Sequence, residues 1–138
     1  MNNKQRIRKI ATDVRMTFIE KVMPALSKMH SIENKKSLRG CCAYASTMLY
    51  NRFINEGFRP KIVEGDGHYF VKCDEFLVDI TASQFGQGMV CVKDWKNIQE
   101  KINSGNYELS FWKPVQFHDI SAMLEYDLDI GRILVSEI

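Results

Sequence analysis

Apolar residues recur at three- and four-residue steps over residues 4–30, where Ile7, Ile10, Ala11, Val14, Phe18, Val22, Leu26 and Met29 form one stripe. That period is the mark of an amphipathic helix with one buried face. Pro24 falls inside the stripe. It has no N–H to give and its ring crowds the preceding turn, so a kink or a break into two helices is expected there. A polar stretch, 31–39, leads to Gly40, and a second helix is expected over about 41–55, stopped at Gly57. On it, Ala45, Leu49 and Phe53 share a face with Cys42 and Ser46.

Beyond Gly57 the period shortens to two. Pro60 opens a short strand, KIVEG, and HYFVKC and FLVDIT follow as two strands joined by Asp74-Glu75, a tight hairpin. ASQFGQG reads as loop, and VCVKDWKNIQEKINSG as a strand edge running into a helix that ends at Gly105. YELSFWKPVQF is expected to be extended, and Asp119 is placed to cap a helix over ISAMLEY. Helices on one antiparallel sheet make an α+β fold. No repeat, linker or low-complexity tract divides the chain, so 1–138 is expected to be one unit. Within it, 1–39 is the helical N-terminal part, 40–85 the chemically interesting core, and 86–138 the sheet and helix that complete the domain.

The hairpin carries most of the information. With Asp74-Glu75 as the turn, Cys73 faces Phe76, Val71 faces Val78 and Tyr69 faces Ile80, all on one face. The other face then holds His68, Phe70, Lys72, Leu77, Asp79 and Thr81. A slip of one residue would mix the two sets, so the pattern itself selects this register. In it His68 and Asp79 are diagonal neighbours, with backbones roughly 5–8 Å apart. An imidazole and a carboxylate can meet across that gap.

Composition narrows the class. The 138 residues are 45% hydrophobic and 26% charged, a globular balance. No apolar run approaches the roughly 20 residues of a membrane span. The basic N-terminus has no apolar segment behind it, so no secretory signal is expected. The four cysteines, at 41, 42, 73 and 91, show no zinc-ligand spacing, and a reducing, cytoplasmic setting accounts for them most simply. Residues 1–39 hold ten Lys/Arg against three Asp/Glu. Such a segment suits nucleic acid or an anionic surface. The simpler reading is a solvated face that complements the acidic remainder, since no nucleic-acid motif accompanies it.

A thiol becomes a nucleophile when a histidine stands beside it and a helix N-terminus lies beneath it. The pair Cys41 and Cys42 follows a glycine in the first turn of the second helix, where unpaired backbone N–H groups favour an anion and could contribute to an oxyanion hole. A carboxylate on the far side of the imidazole fixes its tautomer and steadies its positive charge. A cysteine of this pair, His68 and Asp79 supply these parts in the order Cys, His, Asp. G-C-C-A-Y-A-S-x-x-L-Y, followed by G-H-Y-F-V and F-L-V-D-I-T-A-S-Q-F, resembles the catalytic core of papain-fold, transglutaminase-like cysteine enzymes, closest to small bacterial and phage-type members. The likeness covers Leu38 to Phe85.

That resemblance implies a nucleophile at Cys42, a general base and acid at His68 and an orienting carboxylate at Asp79. Cys42 is preferred to Cys41 because Ala45 and Ser46 then follow at the family's spacing. Cys41 and Gln84 are further candidates for oxyanion or substrate contacts. The glutamine that papain-type enzymes place six residues before the nucleophile is absent, since Lys36 stands there. The implied activity is a hydrolase or acyltransferase acting on an amide or acyl bond of a peptide or protein, without metal or cofactor. A second reading keeps the fold without turnover, as a protein-binding or inhibitory module. A metal protein with Cys/His ligands is the third, and the adjacent cysteines fit one tetrahedral ion poorly. Cys73 and Cys91 read as structural, His30 and His118 as surface or loop residues, and Trp95, Phe111 and Trp112 as core or groove walls.

Overall fold

A computed structural model describes residues 1–24 and 41–118. The expected helix over ISAMLEY, and the stripe beyond Pro24 with His30 and Lys36, lie outside these residues. The first helix, α1, spans Asn3–Thr17, and Asn2 caps it in a reciprocal box with Gln5. Its stripe is buried as expected, from Ile7 through Val14. The helix then widens into a π-turn, Phe18–Val22, in which the Met23 N–H reaches back to the Phe18 carbonyl. Pro24 explains the widening. Its ring would meet the carbonyl four residues earlier, and a wider turn moves that carbonyl aside.

The second helix, α2, spans Cys42–Asn55, and β1 follows at Pro60–Glu64. The hairpin is β2, Tyr69–Cys73, and β3, Phe76–Asp79, with Val71 opposite Val78 and Cys73 opposite Phe76. That is the register the alternation selects. Asp74 takes a positive φ of 53° at the turn, a conformation that aspartate tolerates better than most residues. Strand β4, Cys91–Asp94, runs into α3, Trp95–Asn103, capped by Asp94. A last strand, β5, is Gln116–His118. The five strands are antiparallel in the order β4-β3-β2-β1-β5.

One expectation is corrected. YELSFW is not extended: Tyr107–Trp112 forms a 3₁₀ turn, and only the end of that stretch is strand. Its aromatic residues favour strand locally. Here they bury Phe111 and Trp112 under the sheet instead, and Gln99 Nε2 donates to the Trp112 carbonyl at 3.0 Å.

Both faces of the sheet are covered. Val71, Cys73, Val78, Ile80 and Val92 join the apolar faces of α1 and α2 in one cluster. Val63, Phe70, Leu77 and Cys91 join Ile98 and Ile102 of α3 and Phe111 and Trp112 in a second. Among the described residues, no helix is long and apolar enough to cross a membrane.

Candidate active site

The turn before β2 delivers the histidine. Gly67 takes a positive φ of 65°, and the Gly65 N–H donates to the His68 carbonyl at 2.6 Å, folding the chain sharply before the strand begins. His68 is thereby turned under the sheet, with no exposed surface. Its ring lies near Phe70, Phe85 and Phe111, and the Phe85 ring meets it edge-on with centroids 4.8 Å apart.

Asp79 closes β3 on the same face. Its Oδ2 lies 2.6 Å from His68 Nε2, the diagonal contact expected from the register. Burial of a carboxylate is costly unless its lone pairs are satisfied. Here Oδ1 accepts from the Thr81 N–H at 2.8 Å and from Thr81 Oγ1 at 3.2 Å, and Oδ2 accepts from Trp112 Nε1 at 2.7 Å besides facing His68. Four partners on two oxygens fix the carboxylate.

Cys42 is the first residue of α2, half-buried where Asp79 and His68 are fully buried, and it stands near enough to His68 to favour the charged imidazole. Asp79 occupies Nε2, which leaves Nδ1 as the ring nitrogen turned away from the carboxylate. The Cys42 N–H opens the helix without an acceptor inside it. Gln84 belongs to the short turn Ala82–Phe85; its Nε2 donates to the Thr81 carbonyl at 3.1 Å and lies 3.4 Å from His68 Nδ1. The sequence thus names four side chains that the fold brings together: Cys42, His68, Asp79 and Gln84. Cys41 goes elsewhere. It precedes the helix with its side chain fully buried, Sγ 3.3 Å from Met23 Sδ in the α1–α2 cluster, and so does not line the site.

The electrostatics divide the same way. Burial opposes the charged form of His68, but the hydrogen bonds to Asp79 and to Cys42, and the charges of both, raise it to about 9. Burial, followed by the neighbouring Cys42, pushes the Cys41 thiol up to about 12. Burial, with Asp74 adding to it, does the same to Cys73. Cys91 is likewise raised, first by burial and then by Asp79. All four cysteines are thiols, none joined in a disulfide.

Two participants carry no signal in the sequence. Trp112 reads there as core or groove wall, yet its indole reaches Asp79 across 33 positions. Arg15 sits on α1 with only 5% of its surface exposed and donates to the carbonyls of Ile80 and Met89, just past Asp79. Burial lowers its guanidinium from the usual value while Asp79 favours its charge. His118, read as surface or loop, sits in β5 with Nε2 2.6 Å from Glu64 Oε1, away from these groups. Among the described residues, no three His, Cys, Asp or Glu are grouped to hold a metal ion. Compared with protein-family models, curated proteins and solved structures, the chain matches none, so its chemistry is read from its own residues.

Proposed function

We propose that this chain is a cysteine-dependent hydrolase or acyltransferase with a papain-like or transglutaminase-like core, acting on an amide or related acyl bond of a peptide or protein. The observation that carries this reading is the 2.6 Å contact between His68 Nε2 and a fully satisfied, buried Asp79, with a half-exposed Cys42 on the other side of the imidazole. A buried histidine with a carboxylate behind it and a thiol before it is arranged to move a proton.

In this reading His68 takes the Cys42 proton, and the sulfur attacks the acyl carbon. The N–H groups at the start of α2 steady the oxygen that becomes negative. His68 returns the proton to the departing amine, leaving a thioester on Cys42. Water, or a second amine, then attacks the thioester with His68 as base, and the thiol is released. Asp79 holds the imidazolium through both steps.

Iodoacetamide labelling at pH 6, with the modified cysteine identified by peptide mapping, tests the reading. The expected result is selective modification of Cys42 that His68→Ala abolishes. Slow, even labelling of several cysteines would point instead to a protein-binding module on the same fold.

A further inference from the structure

Asp79 Oδ2 has two donors rather than one. His68 Nε2 lies 2.6 Å away and Trp112 Nε1 2.7 Å away, on the same oxygen. Trp112 is fully buried, so its N–H has no water to turn to. Its place is set by the backbone of the turn that carries it. A side chain at position 65 would bring its Cβ to 2.1 Å from the Phe111 carbonyl oxygen, so the turn docks against Gly65 at a distance that only glycine permits. Gly65 also donates to the His68 carbonyl. One glycine therefore registers both the histidine and the tryptophan against the same carboxylate.

Two donors on one anionic oxygen compete. Charge drawn toward the indole is not available to the imidazolium, and when one donor is withdrawn the other bond tightens. We propose that Trp112 is a positioning residue of the triad, whose indole N–H sets how tightly Asp79 grips His68 and so how readily His68 gives up its proton. The consequence for catalysis rests on the cysteine-enzyme reading; the coupling itself does not. A histidine held too firmly protonates a leaving group poorly, because general acids work best near the operating pH. The other charged or titratable groups around the pair are Arg15 from α1, Cys91 from β4 and Cys42 from α2. The indole is the neutral donor that shares Oδ2 with His68, and so it is a lever on that oxygen.

The test is an NMR titration of the full chain, with the His68 ring signal assigned by its loss in His68→Ala. In Trp112→Phe the His68 midpoint is expected to rise by roughly half to one unit. In the unmodified protein, the Trp112 indole proton is expected to titrate with the same midpoint as His68, while that of Trp95 does not. A folded Trp112→Phe with an unchanged or lowered His68 midpoint would overturn the proposal. If that variant fails to fold, the unmodified protein decides: a Trp112 indole signal that stays flat through the His68 transition overturns it equally. A tryptophan that merely filled space would lower stability without moving either signal. Ordinary reactivity at Cys42 would end the enzyme reading and leave these titrations standing.

Discussion

On one face of the sheet, Val71, Cys73, Val78 and Ile80 meet the apolar sides of α1 and α2. On the other, His68 and Asp79 are buried just as completely, but each polar atom of Asp79 has a named partner. Burial does not separate the two faces; what burial encloses does. The first face gains stability from area removed from water. The second holds charge where water is excluded, and the surrounding donors are what make that affordable.

The largest effects should fall on both faces alike in stability and on one alone in chemistry. Phe53, fully buried on α2 and edge-to-face with Phe58, anchors the first face. Phe53→Ala should cost about 3–5 kcal/mol in urea unfolding. Below its transition it should keep selective labelling of Cys42 at pH 6. Asp79→Ala should cost a similar amount, about 3–5 kcal/mol, by leaving His68, Thr81 and Trp112 facing an empty acceptor. It should also lose the labelling. A Phe53→Ala that lost selectivity while folded would mean that the two faces are not independent.

His68→Ala removes the imidazole and leaves an ordinary thiol environment. A free thiol with a pKa near 8.5 is only about 0.3% thiolate at pH 6, so the labelling rate should fall by about two orders of magnitude. Competition between iodoacetamide and glutathione as a reference thiol would measure it. A fall of less than tenfold would detach His68 from the nucleophile.

These expectations draw on unequal amounts of sequence. The hairpin was legible because its two faces differ in composition and only one register keeps them apart, so His68 and Asp79 could be paired from text alone. Cys42 was legible from the glycine and helix start around it. Trp112 was not, because nothing local ties a tryptophan in YELSFW to a carboxylate 33 positions earlier; that contact exists only after the 107–112 turn docks on Gly65. The same docking explains why the stretch expected as strand is a 3₁₀ turn. Arg15 was hidden differently: a basic residue in a basic helix looks solvated until the loop carbonyls of Ile80 and Met89 are seen to enclose it.

A graded effect should appear with pH. His68 titrates near 9 in the folded chain against an ordinary value near 6.5, chiefly through its bonds to Asp79 and Cys42 once the opposing effect of burial is overcome. The folded state then holds a proton that the unfolded state releases. Its contribution is complete below pH 6.5 and is lost as pH rises through about 9. Urea unfolding of the wild type and of His68→Gln across that range should converge toward high pH. Parallel curves would mean that the pair does not titrate as its geometry implies.

The smallest change sets two neighbours against each other. Cys41 and Cys42 are adjacent in sequence, yet one thiol lies against Met23 in the first cluster and the other against His68 in the site. Cys41→Ala removes one sulfur from a pocket that the flexible Met23 side chain can partly refill, so the cost should be about 1 kcal/mol. Labelling of Cys42 at pH 6 should be unaltered in rate and selectivity. Should Cys41→Ala instead abolish labelling at pH 6, the reactive thiol would be the buried one. The helix start would then have to present Cys41 to His68, and the division between a packing face and a chemical face would fail at the residue where they meet.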